Sequence, residues 1–210
     1  MRRRQFITLL SGAAAIWPLA ARAQERMRRV GMLVGAAEGD AEAERWVHAF
    51  LQAMEALGWK RGNNVQIDIR WGASNLDRMG QLAKELVALQ PDLIQVSTTP
   101  ATAAILRETH TIPVVFTVVS DPIGSGFVSN LSHPGGNVTG FINIEASLGG
   151  KWVQLLKEIA PQLSSVAVLF NPDTAPQTTI IEDRLNLRAK RWGSPYRRLP
   201  FTTLPISKQK

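Results

Sequence analysis

The chain has 210 residues, 45% hydrophobic and 20% charged, enough for one large globular domain or two small ones. With no cysteine, it has no disulfides, no thiolate catalysis, no Cys-ligated zinc and no lipid-modified cysteine. The formal charge of +7 invites a nucleic-acid reading, but its distribution argues against one. Residues 1–23 hold four arginines and no acid, and residues 177–210 hold eight basic and two acidic residues, whereas residues 24–176 hold twelve and fifteen. The basicity belongs to the two ends, so no nucleic-acid partner is expected.

The first residues, MRRRQFITLLSGAAAIWPLAARAQE, have the three parts of an export leader. Arg2 to Arg4 are basic, Phe6 to Leu19 are apolar, and Ala21-Arg22-Ala23 forms an A-x-A cleavage site before Gln24. The apolar part is shorter than the ~20 residues of a spanning helix. Arg3-Arg4-Gln5-Phe6-Ile7 resembles a twin-arginine signal, with a Sec signal as the alternative. The expectation is a cleavable signal peptide over 1–23 and a periplasmic protein.

From residue 28 onward, strands and helices are expected in turn. Arg29 to Val34 reads as a buried strand. Asp40 then caps a helix carrying Trp46, Val47, Phe50, Met54 and Leu57 at helical spacing, ended by Gly58. Val65, Ile67 and Ile69 alternate as a strand, and Leu76 to Val87 form an apolar helical stripe stopped by Pro91. Leu93 to Val96 is the third strand. A helix is expected after it, with Thr99 as N-cap and Pro100 in the first helical position. Strands at 113–119 and 138–142, a helix at 147–160 and a strand at 165–170 follow. This alternation predicts an α/β fold, a Rossmann-like parallel sheet with helices on both faces.

In such sheets ligands sit beyond the carboxyl ends of the strands. The loops expected there supply Gly35 and Ala36, then Ser97, Thr98, Thr99 and Ala101, then Ser120 and Asp121. The start of the helix at Pro100 offers free N–H groups to a carboxylate, and Asp121 could take an ammonium, which together suit an amino acid. The plainer alternative is that Thr99 only caps its helix and Asp121 only starts a turn. No G-x-G-x-x-G, P-loop or G-x-S-x-G is present, and His48, His110 and His133 show no metal spacing. No cofactor or metal is expected, and an enzyme on a Rossmann-like fold is the lesser alternative.

The segments RRVGMLVG, AFLQAMEALGW, LAKELVALQPDLI, TPATAAI, TIPVVFTVVSDPIGSGFVSNLSHPGGNVTGF and GGKWVQLLKEIAP resemble periplasmic substrate-binding proteins of ABC importers. The branch is similar to tryptophan- and tyrosine-binding components, and the likeness covers about residues 28–176. It implies a two-lobed type I fold that closes on a small solute, without catalysis, and hands it to a membrane permease and its ATPase. On that map residues 24–145 form the first lobe. Residues 146–176 hold a crossing helix and the first strand of a second lobe.

Residues 177–210 depart from this rhythm and read as an irregular basic tail, with no buried-strand run after Thr178 to Ile181. Shifting the reading frame restores the pattern. Trp192 and Gly193 then encode a glycine, and the stretch to Gln209 permits Leu-Gly-Val-Ala-Ile-Pro-Ala-Ala followed by Ala-Val-His-Asp-Ala-Ala-Asp-Ile-Glu-Ala. Guided by the family's second lobe, this reading gives a frameshift near residues 177–190 as the expectation, leaving the second lobe largely missing, with a naturally short chain carrying a solvated tail as the alternative. The strand at 165–170 is then expected to have no sheet to join, and solute binding to be weak or absent.

Overall fold

β-Branched runs and amphipathic segments alternate along the chain, and the computed structural model folds them as a parallel sheet between helices. It describes residues 27–144, 148–163, 165–171 and 175, and the backbone of 196–200. The leader read in residues 1–23, and the basic tail apart from 196–200, lie outside the described residues.

In chain order the elements are β1 (Arg28–Val34), α1 (Ala41–Ala56), β2 (Val65–Trp71), α2 (Leu76–Ala88), β3 (Leu93–Ser97) and α3 (Thr99–Glu108). After them come β4 (Val114–Ser120), β5 (Val138–Ile144), α4 (Leu148–Ile159), β6 (Val166–Phe170) and β7 (Tyr196–Pro200). The first five strands form one sheet in the order β2-β1-β3-β4-β5, with every neighbouring pair parallel. This is the doubly wound arrangement the alternation predicted. The chain builds outward from β1 to β2, then crosses β1 to lay down β3, so the order reverses between β1 and β3.

Alternate residues of each strand supply the two faces. On one face α2 and α3 pack Met79, Ala83, Leu86, Ala101 and Ile105 against Leu33, Ile94, Val96, Val114 and Phe116, all at most 2% exposed. On the other, α1 sets Ala43, Val47 and Phe50 against Met32, Val34 and Ile69. The α1 helix begins where Asp40 Oδ1 accepts from the Ala43 N–H at 2.9 Å, and α2 where Asn75 Oδ1 accepts from Arg78 N–H at 2.9 Å. Among the described residues α1 packs on this face, and beside it, over β3, β4 and β5, lies a groove of about 410 Å³ floored by Gln95, Val115, Thr117, Val118 and Phe141.

Two expectations change. The strand at 165–170 does have a partner: β6 pairs in parallel with β7, from Val166 beside Tyr196 to Phe170 beside Pro200. A strand at 196–200 has no apolar run to announce it; Arg197 and Arg198 sit at its centre. Second, β5 runs to Ile144, two residues past the expected end, because its ladder with β4 continues to Ser120 through a bulge. Val118 sits in that bulge with φ 54°, a backbone conformation costly for a β-branched residue.

Candidate ligand-binding crevice

The strand order reverses between β1 and β3, and the carboxyl ends of these two strands mark the crevice in which sheets of this kind usually take ligands. The loops bordering it are stitched together by their backbones. Gly72, Ala73 and Ser74, just after β2, donate to the carbonyls of Val34, Ala36 and Gly35 at 2.7, 2.9 and 2.8 Å. Gly35 N–H donates to Ser97 Oγ at 3.4 Å, tying β1 to β3. Gly35 is needed here, because a Cβ at that position would overlap the Thr98 side chain.

Thr98 is the residue on which the site turns. Its N–H still belongs to the sheet, donating to Thr117 O at 3.1 Å. Its φ of 80° and ψ of 150° then lie in a region that glycine occupies and threonine avoids. This twist turns the chain into α3, whose N-cap is Thr98 rather than the expected Thr99. The strand runs one residue further than expected and the whole turn into the helix is made at Thr98, so Thr99 and Pro100 become the first two helical residues. The Thr98 side chain makes no capping bond, and its buried Oγ1 has no hydrogen-bond partner among the described residues. The N–H groups of Thr99 and Ala101, in the first turn, have no acceptor among them either.

The neighbouring hydroxyls are already used. Thr99 Oγ1 accepts from Ser120 N–H at 3.3 Å, and Ser120 Oγ donates to Asn143 Oδ1 at 3.0 Å. Ser97, Thr99 and Ser120 are buried, so they brace the crevice wall rather than line its opening. Ala101 is fully buried and presents only its N–H. Asp121, at φ 48°, accepts from Gly124 N–H through Oδ1 at 3.0 Å, so it does hold the turn that the plainer reading gave it. Its Oδ2 has no partner among the described residues. Of the eight expected positions, Gly35, Ser97, Thr98, Thr99 and Ser120 interlock, Ala36 is tied to the β2 loop, Ala101 offers only its backbone, and Asp121 belongs to the next turn. Sequence reasoning missed Asn143, because the strand carrying it was expected to stop at 142. It also missed Ala73 and Ser74, whose paired φ of 53° shapes the β2 loop.

Among the described residues no group of three His, Asp or Glu side chains is arranged to hold a metal, and no helix is long and apolar enough to cross a membrane.

The model of the ABC transporter substrate binding protein family matches residues 33–193, beginning in β1 and running on into the tail. Over 125 residues the chain is 32% identical to the tyrosine-binding protein of Clostridioides difficile (strain R20291), spanning 58% of this chain and 35% of that protein. A conserved domain protein from Vibrio cholerae superposes with a TM-score of 0.73 and 31% identity, over 84% of this chain and 58% of that one. An ABC domain from Streptococcus pneumonia, solved in complex with L-Trp, superposes with a TM-score of 0.71 at 23% identity, a likeness of fold. The chain thus spans about a third of that curated relative and 58% of each of these two structures. With that match spread over most of the chain and the sheet ordered as described, the chain belongs to the ABC transporter substrate-binding protein family.

Proposed function

We propose that the chain is the solute-binding component of an ABC importer and that the switch-point crevice is one wall of its site. The ligand is a small carboxylate-bearing solute, an amino acid such as tyrosine or tryptophan. One observation carries this reading: a buried, unpartnered Thr98 hydroxyl beside the unpartnered N–H groups of Thr99 and Ala101. Three donors at the positive end of a helix favour a carboxylate, and Asp121 Oδ2 offers an acceptor to an ammonium. The tyrosine-binding relative and the L-Trp-bound neighbour support the choice of an aromatic amino acid. The family also supports binding rather than catalysis, a permease and ATPase as partners, and export by the leader at 1–23.

One wall alone excludes little water, so binding to this wall by itself is expected in the millimolar range, about −4 kcal/mol. Amide NMR titration with L-tyrosine and L-tryptophan checks this. Saturable shifts at Thr99 and Ala101 are expected, weakened several-fold by Thr98→Val, which keeps the branched shape and removes the hydroxyl. No saturable shift at the start of α3 with either amino acid, at about ten times the expected Kd, rejects the site.

The break in reading frame is also a proposal. It stands near residues 177–190 on the shifted-frame reading alone, since the family match runs in frame to residue 193. Resequencing from codon 170 past the stop tests it: an offset coding region for a second lobe supports it, and none overturns it.

A further inference from the structure

The ladder between β4 and β5 shifts register twice near its carboxyl end. Between Phe116 and Val119 the extra residue lies on β4. Val119 and Ser120 then face Ile142 and Ile144, so the second extra residue is Asn143 on β5. Gly140 permits the close approach before the first shift, since a Cβ there would collide with the Phe116 carbonyl. An extra residue drops out of the ladder and re-aims its side chain, a device common beside active sites. Asn143 is exposed, yet its amide is held: Oδ1 accepts from Ser120 Oγ at 3.0 Å. Ser120 is braced in turn, because its N–H donates to Thr99 Oγ1 at 3.3 Å. Held this way, the amide turns Nδ2 away from Ser120 as a donor, and that nitrogen has no acceptor among the described residues.

The same bonds fix where that donor lies. They run from the first residue of α3, across the end of β4, to β5. Two strand spacings, about 10 Å, separate the start of α3 from Asn143, and Asp121 at the end of β4 lies between them. A solute whose carboxylate meets the N–H groups of Thr99 and Ala101, and whose ammonium faces Asp121, lays its side chain toward β5. In tyrosine the carboxylate and the phenolic oxygen are about 7–8 Å apart, so one hydrogen bond at each end spans the gap. We infer that Asn143 is a specificity-determining residue of this site, donating from Nδ2 to a phenolic oxygen, and that the solute is tyrosine rather than tryptophan. Hydrogen-bond chemistry separates the two. A phenolic oxygen accepts as well as donates, whereas an indole N–H only donates and would meet a second donor. Phenylalanine brings no polar group and leaves the amide to water. This assignment rests on the carboxylate site at α3 proposed above.

Amide NMR titrations of the full chain with L-tyrosine, L-phenylalanine and L-tryptophan test it. The Thr99 and Ala101 amides read the carboxylate, and the Asn143 side-chain amide reads the phenol. One hydrogen bond predicts that tyrosine binds ahead of the other two by about fivefold in Kd, and that tyrosine alone moves the Nδ2 resonance. Asn143→Leu should bring tyrosine and phenylalanine within about twofold of each other. Asn143→Asp keeps the shape and the acceptor for Ser120 but exchanges the donor for an acceptor, so tryptophan should gain about fivefold on phenylalanine. Both variants are read as ratios between solutes, which a general loss of folding does not imitate. Equal binding of tyrosine and phenylalanine by the unaltered chain, or a preference that survives Asn143→Leu, overturns the role of Asn143 and leaves the carboxylate site standing. No saturable shift at Thr99 or Ala101 with any of the three overturns both.

Discussion

Thr98 holds an unfavourable backbone and an unsatisfied hydroxyl at once, and both belong to the same turn between β3 and α3. A φ/ψ pair of this kind costs about 1–3 kcal/mol in a residue with a Cβ. Thr98→Gly should therefore raise the unfolding free energy by about 1 kcal/mol, after glycine's own entropic cost, while weakening solute binding. Urea unfolding and the same NMR titration check the two halves; a loss of stability would mean that the threonine is not strained. Gly35→Ala should act in the opposite direction. Its Cβ meets the Thr98 side chain, and overpacking of this sort costs about 1–3 kcal/mol. The combined Gly35→Ala, Thr98→Gly variant should regain most of that loss, because the obstructing side chain is gone. The sequence pointed to this loop through its position after an apolar strand, but not to the strain. A glycine at residue 98 would have announced the twist; a threonine conceals it.

At the scale of elements, the strongly periodic segments were legible and their ends were not. The stripe from Trp46 to Leu57 and the capping Asp40 located α1, and the bond from Ala43 N–H to Asp40 Oδ1 confirms the start. Asp40→Ala should cost about 1 kcal/mol, read as a lower urea midpoint with an unchanged slope. Boundaries set by a neighbouring strand were less visible. Thr98 stays in the ladder because Thr117 O reaches its N–H, and β5 extends to Ile144 because β4 bulges at Val118. Neither depends on the residues at the boundary alone. The same applies to β7, which exists through β6 and carries arginines where an isolated strand would carry apolar residues. The groove was likewise invisible in the sequence, since alternating strands predict helices on both faces without saying how much of each face they cover.

At the scale of the whole molecule, strand order decides what holds the fold together. β1 is the most heavily tied element of the sheet: it runs its full length beside β2, and from Val30 onward beside β3. It is also the strand nearest the N-terminus, directly after the segment read as an export leader. A machine that threads the chain from its front end would meet the mechanically strongest element first. Both ladders of β1 would have to shear together, with no peripheral strand to peel away beforehand. In optical tweezers, pulling along β1 from residue 28 should show one large rupture, whereas pulling on β5, which pairs within this sheet with β4 alone, should unzip at lower force. Translocation by threading would then have to occur before β3 is in place, and a carrier that accepts folded cargo would face no such deadline.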